Sequence, residues 1–156
     1  MNTFSTFLIT HSYIRWVILL LLFIAVFRSY IAKKRNYSYT KTDNVLRIFL
    51  VGTAHVQLLL GYYLYFNSVI VNYFLENFST AVKMREVRFF GMEHITAMTI
   101  AVVLLTIGAM KVKKQTTDFD KHKKGFSWYL TVLLIVLVSI PWGVLFFTYR
   151  PLFRLF

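Results

Sequence analysis

Four long apolar stretches separated by basic segments constrain this chain more than any other feature. They run from about Phe4 to Ile31, Val45 to Phe66, Phe89 to Met110 and Phe126 to Thr148. A helix needs about 20 apolar residues to cross the hydrocarbon core of a bilayer, and each stretch approaches or exceeds that length. In lipid, backbone polar groups have no water to bond, so apolar segments of this length close their hydrogen bonds internally as helices. The expected fold is all-α: an antiparallel bundle of four transmembrane helices, one domain over residues 1–156. Apolar residues make up 58% of the chain, against about 45–50% in soluble domains, which excludes an ordinary soluble enzyme. A cleaved signal peptide is the rival reading of the first stretch. Arg15 interrupts its apolar run, no small-x-small cleavage site is evident, and Lys33-Lys34-Arg35 reads as a stop-transfer flank.

The formal charge of +12 does not point to nucleic acid, because topology explains where the charge lies. Arg28, Lys33, Lys34, Arg35, Lys41 and Arg47 flank one connection. Lys111, Lys113, Lys114, Lys121, Lys123 and Lys124 flank another. Together these are 12 of the 18 basic residues. The positive-inside rule places both connections in the cytoplasm and both termini outside. The segment after the second stretch, about Asn67–Arg88, remains apolar enough to lie on the membrane surface as an interfacial helix or to extend the second span. There is no Cys, so thiolate metal sites, disulfides and cysteine nucleophiles are excluded. Neither a phosphate-binding glycine loop nor an HExxH or nucleophile-elbow motif is present.

Within the apolar stretches stand three histidines, His11, His55 and His94. Ionisable side chains are costly in hydrocarbon and mark function by default, and neutral imidazole is the commonest metal ligand. A rise of about 1.5 Å per residue puts His11 and His94 each ~9–10 Å to the outer side of the midplane, with His55 near the centre. Trp142 and Gly61 fall in the same outer layer, ~8 Å out. Two histidines at one depth on separate helices suit bis-imidazole ligation of a haem standing between them. His55 is an alternative axial ligand. It stands on a different face from Gln57 and Gly61, which share one, so a core residue, a proton relay and a quinone contact remain open for it.

The neighbours of these histidines carry further expectations. Gly91, Ala97, Met98, Ala101 and Gly108 form a stripe with His94, leaving room for a flat macrocycle or for a close helix crossing. Arg15 lies one turn from His11 and needs a partner. Glu93 is the acid within the spans, so Arg15–Glu93 is the expected pair, with a haem propionate the functional alternative. Arg85 and Arg88, at the outer mouth of the third span, are further propionate candidates or interfacial anchors. Pro141-Trp142 breaks the fourth helix and frees a carbonyl. Met92 is a minor candidate ligand. His122, between Lys121 and Lys123, is expected to be solvated.

The segments His11-Ser12-x-x-Arg15-Trp16, Gln57-Leu58-Leu59-Leu60-Gly61, Glu93-His94-x-x-x-Met98 and Pro141-Trp142 resemble those of small bacterial four-span membrane proteins labelled cytochrome b or cytochrome b561-like. The resemblance implies a multi-pass protein of the bacterial inner membrane that binds one haem b. It would transfer electrons between the quinone pool and an outer-side acceptor, or serve as a subunit of a larger redox complex, rather than act as a stand-alone enzyme. Its expected partners are the lipid bilayer, a quinone and redox proteins. His11 and His94 become the ligands. His55, Arg15, Gln57, Gly61, Trp142 and Arg88 are the remaining cofactor-site candidates. Di-haem relatives need four ligand histidines in two layers, and this chain has no cytoplasmic-side pair. Two readings stand beside this one: a cofactor-free assembly subunit, and a copper or zinc site using His11, His55 and His94.

Overall fold

The computed structural model describes residues 3–142, and these are helical almost throughout, with no strand among them. In chain order the helices are α1 (Thr3–Arg35), α2 (Lys41–Phe66), α3 (Val69–Glu76), α4 (Phe78–Ala81) and α5 (Arg85–Arg88). A π-helical turn at Phe89–Glu93 leads into α6 (His94–Lys113), and α7 (Asp118–Ser139) follows. Three runs are long and apolar enough to cross a membrane: α1, α2 and the continuous segment Arg85–Lys113. The last part of the expected fourth span, residues 143–148, lies outside the described residues.

α1 packs along α2 and α7, and α6 packs along the same two helices. The four long helices therefore form a ring in which α1 faces α6 diagonally, and α2 faces α7. Leu22, Leu50, Leu105 and Val132, one from each helix, are almost completely buried and close the middle of the bundle. The outward faces are just as apolar. On α1 the exposed side chains include Val17, Leu20, Ile24 and Phe27, and on α7 they include Leu134 and Val138. A helix that is apolar on every side belongs in a hydrocarbon environment. Between such helices association comes from close packing rather than from hydrophobic expulsion.

Short helices fill the connection between α2 and the third apolar run. Val71 and Phe74 of α3 turn inward while Val69 and Leu75 stay exposed, so this segment is amphipathic, as its composition predicts. α2 starts at a capping box: Thr40 Oγ1 accepts from the Asp43 N–H at 3.3 Å, and the Asp43 carboxylate accepts from the Thr40 N–H at 2.8 Å. Asp43 also takes two hydrogen bonds from Arg28 of α1, at 2.8 and 3.1 Å, tying the two helices at their basic end.

One expectation fails here, and one open alternative is decided. α7 starts at Asp118, eight residues before the apolar run at Phe126, because Thr117 caps it by accepting from the Asp120 N–H at 3.1 Å. His122 is thereby carried onto a helix and buried, at 1% exposure, instead of solvated in a loop. At the two glycines of the stripe the close-crossing alternative holds. A Cβ on Gly91 would fall 2.3 Å from Phe74 Cγ, and one on Gly108 would fall 2.6 Å from Trp128 Cβ. Both glycines serve close helix approach and neither borders a cofactor-sized space.

Candidate functional site

One cavity of about 590 Å³ lies inside the ring, toward the end away from the basic connections. Its walls are mostly apolar, including Leu8, Ile18, Met98, Ala101 and Val136, and its floor is Leu22, Leu105 and Val132. The polar side chains on its wall include His11, Arg15, Gln57 and His94. The volume falls within the about 300–1,000 Å³ of small-molecule and cofactor sites.

His11 and His94 thus reach one space from diagonally opposed helices. The structure orients them differently. His94 Nδ1 lies 2.8 Å from the Ser139 carbonyl oxygen. A carbonyl only accepts, so Nδ1 carries the proton and Nε2 keeps its lone pair, the tautomer that a metal-ligating histidine needs. Phe89 and Phe90 flank the imidazole, with ring centroids 5.6 and 6.3 Å away. The π-helical turn immediately before His94 adds a residue to that turn, a feature that recurs at functional sites.

The carbonyl that holds His94 exists because of Pro141. Ile140 adopts extended backbone (φ −77°, ψ 133°), as the residue before a proline tends to do, and α7 ends at Ser139. Pro141 has no N–H for the Leu137 carbonyl four residues earlier. The Trp142 indole N–H takes that place, donating to Leu137 O at 2.6 Å. Ser139 O is then free for His94. The break expected at Pro141-Trp142 is present and has an identifiable consequence. Trp142 itself packs edge-on against Trp16, at 6.1 Å between centroids, rather than on the cavity wall.

His11 is held through its backbone: Gln57 Nε2 donates to His11 O at 2.8 Å. Its Nδ1 and the Gln57 Oε1 are buried with no protein hydrogen-bond partner. Gly61, one turn from Gln57, lets the imidazole lie against α2, since a Cβ there would stand 3.3 Å from His11 Cε1. Arg15 and His94 are both within electrostatic reach of His11. The Arg15 guanidinium also stands 5.3 Å from the Trp16 ring centroid, within cation–π range.

The remaining candidates stand elsewhere. His55 points outward, exposed, with Nδ1–H donating to Val51 O of its own helix at 2.9 Å. Arg88 pairs with Glu93 at 2.6 Å and donates to Val82 O at 3.1 Å, outside the cavity wall. Glu93 therefore bridges Arg88, its neighbour across the π-helical turn, and not Arg15 as expected. Met92 is exposed. Among the described residues no group of three or more His, Asp or Glu side chains forms a metal site, so the three-histidine copper or zinc arrangement is not assembled. Ser139 was not legible as a partner from its residue type, because the acceptor is its backbone carbonyl. The sequence signal for it is Pro141 two residues on. No family model, curated protein or solved structure matches this chain.

Proposed function

We propose that the protein is a four-span membrane electron carrier in which His11 of α1 and His94 of α6 would hold one haem b. The observation that carries this reading is the pairing of two histidines from diagonal helices across one apolar cavity. The donor set fits the group: one imidazole is fixed with Nε2 free, the other has an unpartnered ring nitrogen, and the cavity wall is apolar. When bound, the group supplies reversible one-electron chemistry at iron.

The protein's part is to orient, exclude and bias. Ser139 O fixes the His94 tautomer, and Gln57 fixes the α1 backbone at His11. The Leu22–Leu105–Val132 floor separates the site from the basic end of the bundle. Arg15 places a cation on the wall, favouring the state with one more negative charge. With both imidazoles engaged, the group would supply electron transfer rather than oxygen chemistry. With α7 as the fourth span and both basic connections cytoplasmic, the site lies in the outer half of a bacterial inner membrane. There it would exchange electrons with a quinone and an outer-side redox partner.

The test is a dithionite-reduced minus oxidised absorption spectrum of protein expressed with added haem. A Soret band and an α band are expected in the parent, with both lost in His11→Ala and His94→Ala. A parent protein that folds and shows neither band contradicts the proposal, and leaves the cofactor-free assembly subunit as the reading.

A further inference from the structure

The outward side of α1 changes character toward the basic end of the bundle. Phe23, Phe27, Tyr30 and Lys34 follow one another at intervals of four, three and four residues, so they share one stripe of the helix. The three aromatic side chains are exposed, Phe27 to 66%. Tyr30 meets Phe126 of α7 at 5.5 Å between ring centroids. Gly125 permits this approach, since a Cβ there would stand 3.0 Å from Ser29 Oγ. The two helices thus present one aromatic shelf to their surroundings.

Two ammonium groups stand over this shelf. Lys33 Nζ lies 4.5 Å from the Phe126 centroid and 6.0 Å from that of Tyr30, and Lys34 Nζ lies 5.0 Å from the Tyr30 centroid. Both cations therefore sit around a single ring, and their flexible four-carbon stems let them close on one oxyanion there. The acids at this end are engaged elsewhere: Asp43 by Arg28, Asp118 by Lys121 and Asp120 by Thr117. Among the described residues no carboxylate pairs with Lys33 or Lys34. The side-chain partner of Lys34 is the Tyr30 hydroxyl, which is neutral. The C-terminal dipole of α1 offsets about half a charge, against three cations in its last turn. The shelf therefore carries positive charge that the protein does not compensate.

Depth identifies the occupant. Helical rise puts Tyr30 ~18 Å from the midplane, on the side opposite His11, and half of the hydrocarbon core is ~15 Å thick. Lys33 and Lys34 thus stand at headgroup level, while Phe27 and Phe23 lie one and two turns deeper, among acyl chains. A soluble anion would use only the cations, whereas a lipid uses both halves of the groove. We propose that the groove between α1 and α7 binds one anionic phospholipid, its phosphate held by Lys33 and Lys34 and an acyl chain laid along Tyr30, Phe27 and Phe23. The inference rests on α1 crossing the membrane and is independent of haem.

The experiment titrates the detergent-purified full chain with dioleoylphosphatidylglycerol or dioleoylphosphatidylcholine, reading bound lipid by native mass spectrometry and stability by circular dichroism melting. The parent is expected to retain one phosphatidylglycerol in preference to phosphatidylcholine. Its apparent Tm should rise saturably with phosphatidylglycerol alone, because a ligand of the folded state stabilises it by mass action. Lys34→Gln should weaken retention about 5-fold, and Lys33→Gln with Lys34→Gln about 30-fold. Lys113→Gln with Lys114→Gln removes the same charge from the end of α6 and should leave retention unchanged. Lys34 is exposed, so its single variant decides the matter if the double variant does not fold. Equal retention of the two lipids overturns the proposal, as does a loss in the α6 pair as large as in the α1 pair. Inorganic phosphate that raises the Tm as phosphatidylglycerol does, and displaces it, assigns the cations to a free oxyanion and equally overturns the lipid. Protein without haem serves throughout, so failure here leaves the spectral test of the haem reading untouched.

Discussion

The closest crossing of α6 and α7 makes a sharp prediction. At Gly108 an added Cβ would lie 2.6 Å from Trp128 Cβ and 2.9 Å from Cγ, against about 3.5–4.0 Å for a normal carbon contact. The obstructing atom is itself a Cβ, so rotating the indole gives no relief and one helix must move by about 1 Å. Alanine gains about 1 kcal/mol over glycine from helix propensity. Overpacking costs about 1–3 kcal/mol, and a rigid helix–helix contact belongs in the upper part of that range. The net expectation for Gly108→Ala is about 1–2 kcal/mol of destabilisation, or a fall in apparent Tm of about 2–8 °C for a chain of this size. Gly52→Ala is the control. Nothing lies within 4 Å of a Cβ at that position, so propensity alone acts and stability rises by up to about 1 kcal/mol. Both variants are read by circular dichroism melting in one detergent. Gly108→Ala melting at or above Gly52→Ala would refute the crossing, and with it the packing of α6 on α7 that brings Ser139 to His94.

Pro141→Ala restores an N–H for the Leu137 carbonyl and lets α7 continue, so the hold of Ser139 O on His94 is weakened. The expected result is a change of His94 tautomer population by nitrogen-15 NMR, with a melting temperature close to the parent's. His55→Leu removes an outward-facing imidazole bonded only to its own helix, so any haem spectrum should be unchanged and stability should alter by less than about 1 kcal/mol. Asp43→Ala removes the α2 capping box together with the Arg28 bridge. Thr40 still accepts from the backbone N–H at position 43, so the loss is that of the carboxylate bonds to the Thr40 N–H and to Arg28, and a clear fall in apparent Tm is expected, with the spectrum retained.

Much of this architecture was legible because bilayer-length apolar runs and basic flanks leave few alternatives. The pairing of His11 with His94 followed from helical rise, and the separation of His55 followed from its angular offset from Gln57. Both expectations agree with the cavity wall and with the outward direction of His55. What escaped was set by side-chain packing or by helix ends. The stripe containing Gly91 and Gly108 was compatible with a macrocycle or with a neighbour, and only the positions of Phe74 and Trp128 decide between them. Glu93 had several arginines to choose from, and the extra residue of the π-helical turn brings Arg88 nearest. His122 looked solvated because lysines surround it in sequence. The Thr117-x-x-Asp120 cap was the available signal that α7 begins earlier and buries one face of that segment.

The most direct measurement of the central claim is low-temperature electron paramagnetic resonance of the oxidised, haem-replete protein. Ligation by His11 and His94 together predicts a low-spin ferric signal of the bis-imidazole kind, lost with the haem in His11→Ala and in His94→Ala and unchanged in His55→Leu. A low-spin signal that survives loss of either His11 or His94, or a folded parent with no haem signal, contradicts the account.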